Sequence, residues 1–235
     1  MNIKTLESIQ DRILWLSIQL VNHANTVRTN RSDLKVGGHQ TSSSSVVTIL
    51  TYLYFEYLEK YDYVSVKPHA SPVFHAIQYL LGNLDKKYLT SLRELHGLQS
   101  YPSRTKDPDF VDYSSGSVGL GAVAPNFNWL ADEYLKTHTK SSVPKRRYFS
   151  LLGDAELDEG SIWEGFLVAS AKNLNNLTVI IDRNEFQANL KTEDLITPFD
   201  NIFGHLFHSL SIKDGDAIVL FGQSKSGKSK ATELI

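Results

Sequence analysis

The sequence predicts an α/β protein built on a mainly parallel sheet with helices on both faces. Two observations carry that reading. Residues 146–182 run as a strand-like apolar stretch, "RRYFSLL", then a helix-like stretch, "SIWEGFLVASAKNL", then a second strand-like stretch, "LTVIID". A strand, crossover and strand of this length make the two strands parallel. The 235 residues are 41% hydrophobic with a net charge of −2, enough apolar chain for one large domain with a substantial core.

Each element follows from its local pattern. Leu6, Ile9, Ile13, Leu16 and Leu20 recur at steps of three and four, the spacing of one helical face. A polar loop, "TNRSDLKVGGHQTSSSS", leads into a second buried helix carrying Val46, Val47, Leu50, Leu53, Tyr54, Tyr57 and Leu58, with the serine run as its start. "YDYVSV" reads as a short strand and "SPVFHAIQYLLG" as a helix stopped by Gly82. "LQSYPSRTKDPDFVDYSSG" is a long polar connection, and loops of that length are uncommon unless they serve a site. Residues 117–135, "SVGLGAVAPNFNWLADEYL", begin glycine-rich and become helical. Ser161 and Glu164 have the spacing of a capping box at the start of the crossover helix. One domain is expected over residues 1–200, with residues 201–235 as an uncertain tail.

The composition narrows the function classes. There is no basic block and no aromatic-plus-arginine stripe, so neither nucleic acid nor an anionic membrane is expected as a partner. Cysteine is absent, which removes disulfides, thiolate metal sites and a thiol nucleophile. The opening residues lack the basic, apolar and small-residue segments of a secretory leader, and a cytoplasmic location is the expectation.

The chemistry concentrates where the crossover unit delivers its strand ends. "GDAELDEG" (153–160) places Asp154, Glu156, Asp158 and Glu159 within six positions, directly after an apolar run, and Asn184 follows the second strand. Parallel strands open at the same sheet edge, where open α/β folds bind ligands. One carboxylate, one amide oxygen and the backbone carbonyl just beyond form a hard-oxygen set that suits magnesium or calcium. A divalent cation there turns an acidic edge into a pyrophosphate site. Glu156, Asp158 and Glu159 are read as solvated acids favouring the positive start of the following helix rather than as metal ligands.

"GDAELDEG" with "NNLTVIIDRNEFQ" resembles the thiamine diphosphate motif of transketolases and of the homodimeric-type decarboxylating component of pyruvate dehydrogenase. Three further segments are similar in order: "VGGHQTSSSS" to the family's Gly-His loop, "VKPHASPVFHAIQYLLG" to its second active-site histidine segment, and "SYPSRTKDPDFVDYSSGSVGLG" to the stretch ending in its glycine-rich cofactor loop. Together they span about residues 35–200. The resemblance implies that Asp154, Asn184 and the carbonyl of Phe186 ligate Mg2+, which holds the diphosphate of thiamine diphosphate. Gly153 and Ala155 flank that ligand, and Gly116, Val118 and Gly119 form the glycine-rich loop, with the Val118 backbone against the aminopyrimidine ring. His39 and His69 are implied as catalytic residues facing the thiazolium and the bound sugar phosphate or 2-oxo acid, where an imidazole donates to a developing oxyanion or moves a proton. Local sequence alone leaves His69 open to a structural role. His75, His96, His138, His205 and His208 are read as surface or packing residues.

Departures from the pattern matter as well. Ala155 stands where the family has its third glycine, and "ANLKTEDL" lacks the usual Asp-Gly turn. The family supplies the glutamate that activates the aminopyrimidine from a second domain. The resemblance therefore implies half a site, completed as a homodimer or with a separate pyrimidine-binding subunit; the alternative is a catalytically inactive remnant of the same fold. The segment "DAIVLFGQSKSGKS" reads two ways: "IKDGDAIVL" as the family's segment after the metal loop, or Gly222–Ser229 as a phosphate loop following a strand. The latter resembles the opening of an ATP-binding-cassette domain, with Lys225 where that family has glycine, and is taken as vestigial.

Overall fold

The computed structural model describes residues 1–29, 35–140, 142–174, 176–183, 186–187, 190–191 and 219–223, the last three segments as backbone only. These residues gather into two compact units, one from Met1–Lys60 with Val66–Ser117, the other from Tyr61–Ser65 with Val118–Gln223.

The second unit holds the main sheet. Strands β1 (Tyr63–Ser65), β2 (Tyr148–Gly153), β3 (Leu177–Arg183) and β6 (Val219–Gln223) run parallel in the order β1-β2-β3-β6. Tyr148, Leu152, Leu177, Val179 and Ile181 share one face and enter a core with Ala122, Leu157, Ile162 and Leu174. Phe149, Leu151 and Ile180 point the other way and are also buried. The two strands therefore read as continuous apolar runs, as parallel strands covered on both faces do. Two short strands, β4 (Phe186–Gln187) and β5 (Leu190–Lys191), form a separate antiparallel pair.

Helix α5 (Leu120–His138) packs on β1 and β2 despite carrying Pro125 in its interior. Proline removes the N–H that would reach the carbonyl four residues back. That carbonyl belongs to Gly121, and Ser65 Oγ on β1 donates to it at 2.5 Å; Ser150 Oγ on β2 donates at 2.9 Å to the neighbouring carbonyl of Ala122. Ser65 thus satisfies the carbonyl that proline leaves without its helical donor, and Ser150 ties the next carbonyl to β2. Helix α6 (Gly160–Ala171) crosses α5 at Gly165, where a Cβ would stand 2.4 Å from Val123 Cγ1, and Asn126 Nδ2 donates to the Gly165 carbonyl at 2.7 Å. The expected Ser161–Glu164 capping box does not form. The helix begins at Gly160 with Glu159 at the cap position, because a 3₁₀ turn, Asp154–Asp158, carries the chain from β2 straight into it.

The first unit is helical. Helix α1 (Ile3–Asn22) buries Ile13, Leu16, Leu20 and Val21 and runs on as a π-type turn, His23–Val27. The serine run is not a cap: Gln40–Ser44 is a short helix, α2, separate from α3 (Val47–Tyr52), which widens into a π-type turn over Leu53–Tyr57. Helix α4 (Ser71–Leu80) is followed by Gly82 at φ +81°, as a left-handed helix stop requires. Leu20, Val21, Ala24, Leu84, Leu92 and Leu98 form this unit's core. Among the described residues, no helix is long and apolar enough to cross a membrane.

Candidate functional site

In the sheet unit, Gly153 ends β2 opposite Asp182 on β3, so Asp154 opens the 3₁₀ turn at the C-terminal edge of two parallel strands. The residue is 2% exposed, and Oδ1 accepts the Ala155 N–H at 3.1 Å. The backbone of β4, which begins with Phe186, runs against the same turn. Asn184 lies outside the described residues. Gly119 has φ +84° at the start of α5, and a Cβ there would stand 2.8 Å from Glu159 Cβ and 3.0 Å from Ser161 Oγ. Only glycine fits that approach without strain. A buried carboxylate offering hard oxygen at the sheet edge, with Val118 exposed just before the buried Gly119 turn, fits a cation-held diphosphate.

Glu156 is not the solvated acid the sequence suggested. It is 6% exposed, Oε1 accepts the Gly153 N–H at 3.0 Å, and Oε2 accepts the Gly119 N–H at 3.4 Å. The 3₁₀ turn points this side chain back along the strand end, which periodicity in the sequence does not reveal. Asp158 and Glu159 are exposed, as expected.

In the helical unit, the two expected histidines meet. The His39 and His69 rings lie 4.2 Å apart between centroids, tilted by 55°, and Tyr101 meets His69 edge-on at 5.6 Å. His69 sits in a 3₁₀ turn, Pro68–Ala70, and its carbonyl accepts Ser43 Oγ of α2 at 3.1 Å. His39 follows two glycines at φ +92° and +127°. Asn25 brackets the first of them, accepting the Gly37 N–H at 2.9 Å and donating to its carbonyl at 3.0 Å, while Arg93 Nη1 donates to the Val36 carbonyl at 2.7 Å. Burial first, then the positive charges of Arg93 and Lys67, hold the His39 imidazole below its ordinary value. Burial, His39, Lys67 and Arg93, in that order, push His69 down to about 4. Both shifts favour the neutral imidazole at pH 7. Gly116, in this unit, leaves Tyr101 3.8 Å from the position of a Cβ.

His75 is neither a surface nor a mere packing residue. It is fully buried; Nδ1 lies 2.6 Å from Asp109 Oδ2, and Nε2 lies 3.9 Å from Asp107 Oδ1. Asp107 in turn accepts the backbone N–H groups of Gln99 and Ser103, each at 2.7 Å. The three residues offer donor atoms within 4.8 Å of one another. Two ligands of a zinc-like ion at about 2.0–2.2 Å stand roughly 3.3 Å apart in a tetrahedral site, and the 2.6 Å contact is too close for that. The cluster is a hydrogen-bonded clasp that pins the long loop to α4. Sequence reading missed Asn25, Arg93, Asp107 and Asp109; the length of the loop was the one signal that it served a site.

Comparison with known proteins agrees with this fold. The family model described as "Transketolase, thiamine diphosphate binding domain" matches residues 53–203, more than half of the sequence, and the chain belongs to that family. It is 29% identical over 192 residues to the pyruvate dehydrogenase E1 component of Escherichia coli K12, covering 78% of this chain and 21% of that protein. It is 32% identical over 215 residues to transketolase-like protein 2 of Bos taurus, covering 84% and 33%. The transketolase structure from Campylobacter jejuni matches with a TM-score of 0.75 at 18% identity, over 94% of this chain and 38% of that one, which shows the shared fold. The chain thus spans about a fifth to a third of the length of these curated relatives.

Proposed function

We propose that this chain supplies the diphosphate-binding part of a thiamine diphosphate enzyme that cleaves or forms a carbon–carbon bond beside a carbonyl, as a transketolase or a 2-oxo acid dehydrogenase component does. Residues 1–200 act as the domain that holds this end of the cofactor, with β6 from beyond that span joining its sheet. The observation that carries the reading is Asp154: a buried carboxylate at the shared edge of two parallel strands, next to the Gly119 turn. Asp154, Asn184 and the Phe186 carbonyl are assigned to Mg2+, and Gly116, Val118, Gly119, Gly153 and Ala155 to the cofactor's surroundings. The bound cofactor would supply the electron sink for the bond that breaks.

His39 and His69 are assigned to the reacting carbonyl. Neutral imidazoles can donate a hydrogen bond there through one nitrogen and accept a proton at the other without first being deprotonated. Lys67 and Arg93, whose charges reach both rings, suit an anionic substrate, either a sugar phosphate or a 2-oxo acid. Turnover requires a glutamate-bearing pyrimidine-binding domain, from another copy, another subunit or another part of a longer chain.

Calorimetric titration tests this. Thiamine diphosphate should bind only with Mg2+, and Asp154→Ala should weaken it at least a hundredfold, since the diphosphate would then meet the remaining carboxylates without a held cation. Asp158→Ala should change little. Binding without Mg2+, or binding indifferent to Asp154→Ala, defeats the assignment.

A further inference from the structure

Glu156 is a buried ionisable group that the assignments above leave unused. Its two oxygens face in two directions: Oε1 takes the N–H of Gly153, the residue that delivers Asp154, and Oε2 takes the N–H of Gly119, the residue that begins the glycine-rich turn. The second contact is long, at 3.4 Å, but an independent observation shows how closely the two segments meet. Gly119 stands so near the start of α6 that a Cβ on it would lie 2.8 Å from Glu159 Cβ. One carboxylate therefore spans the strand end on one side and the helix start on the other.

We infer that Glu156 is a positioning residue, which fixes the Gly119 turn against the Asp154 turn and so sets the separation at which the two ends of one extended cofactor are received. The inference rests on the cofactor reading above. Because both of its oxygens are engaged by backbone N–H groups, Glu156 is assigned to positioning rather than to the cation. Only a carboxylate performs this task at that length, because glutamine would turn its NH2 donor toward one of the two N–H donors, and aspartate is one methylene too short.

Two probes separate positioning from general weakening. Pyrophosphate with Mg2+ engages only the diphosphate end, whereas thiamine diphosphate with Mg2+ must engage both ends. In Glu156→Gln, thiamine diphosphate should bind about tenfold more weakly, in line with other residues that orient a ligand from behind, while pyrophosphate affinity should stay within about twofold. Hydrogen exchange of the Gly119 amide, followed by NMR, should accelerate. Equal loss for both probes, or no loss for either, overturns the inference. Should the intact chain bind neither probe, the amide decides alone: faster Gly119 exchange in Glu156→Gln upholds the clasp and leaves only the cofactor reading to fall, whereas unchanged exchange removes the clasp. If Glu156→Gln does not fold, Gly119→Ala displaces the same turn with the carboxylate intact and should reproduce the selective loss for thiamine diphosphate; equal loss of both probes there counts against positioning.

Discussion

Asp154 stands where it does because a strand ends there; His39 stands where it does because Asn25 and Arg93 hold a glycine turn. In the sheet unit the candidate groups are delivered by regular elements: Gly153 pairs with Asp182 in register, and the next residue falls at the sheet edge. In the helical unit they sit on segments tied by single side chains. Asn25 brackets Gly37, Arg93 holds Val36, Ser43 holds the His69 carbonyl, and Asp107 gathers the N–H groups of Gln99 and Ser103. Backbone ladders share their load over many bonds, whereas a loop pinned by one side chain depends on it. The helical unit should therefore be the more fragile to polar deletions, and the sheet unit the more fragile to changes at close backbone approaches.

The largest effect expected from this contrast is at His75. His75→Ala removes the partner of Asp109 and leaves a fully buried carboxylate side chain without its compensating group. Leaving a buried carboxylate without its hydrogen-bond partner costs about 3 kcal/mol or more. Urea unfolding should show a loss of that size, with faster hydrogen exchange through residues 99–115. A loss below about 1 kcal/mol would mean that the loop is held by something other than this clasp, and the contrast between the units would collapse.

Next comes Gly119→Ala, set against Gly82→Ala as its control. Both glycines have φ near +80°, but a Cβ on Gly82 meets nothing within 4 Å, whereas one on Gly119 stands 2.8 Å from Glu159 Cβ. A positive φ, costing about 1–2 kcal/mol for a residue with a Cβ, bears on both. The additional destabilisation at Gly119, about 1–3 kcal/mol for an overpacked contact, measures how rigidly the sheet unit holds that turn. Equal losses for the two variants would show that α6 gives way freely.

A smaller effect is expected where Pro125 interrupts α5. Ser65→Ala leaves the Gly121 carbonyl without its donor, at about 1–2 kcal/mol for an unsatisfied buried acceptor. Pro125→Ala restores a backbone N–H four residues on, so Ser65→Ala should cost less in that background. A double-mutant cycle measures the difference; strict additivity would dissociate the serine from the proline.

The same contrast explains what could be read in advance. Tyr148–Gly153 and Leu177–Arg183 were legible because strands buried on both faces appear as apolar runs, and the crossover rule then fixes their direction. Asp154 was legible because it follows such a run. Helix α4 and its stop at Gly82 were legible for equally local reasons. Glu156 was not, since a single 3₁₀ turn decides whether it faces water or the Gly119 N–H. The His75 clasp was not, because its partners stand 32 and 34 positions away in an irregular loop, and no period in the sequence marks such a pair. The Ser161–Glu164 spacing was legible but empty: the chain enters α6 already turning, so no free helix start remained for the box to close.

The smallest expected effect concerns pH and the histidine pair. Burial and neighbouring positive charge push His69 from its ordinary value of 6.5 down to about 4. At pH 5 the unfolded chain therefore binds a proton at this residue that the folded chain refuses. Stability linked to His69 is fully present above about pH 6.5, and it is lost as the pH falls toward 4. Asp107 works in the opposite sense, since burial raises its carboxyl above the usual range and favours the folded state on acidification. The comparison that isolates His69 is thus between the native chain and His69→Gln, not the native pH profile alone. Because His69 is only half-buried, solvent screening limits the difference to about 1 kcal/mol or less. Urea unfolding at pH 7 and pH 5 should show the native chain losing more stability than His69→Gln over that interval. Parallel losses would mean that the ring titrates in the folded chain as it does in water, and that Lys67 and Arg93 do not act on the histidine pair.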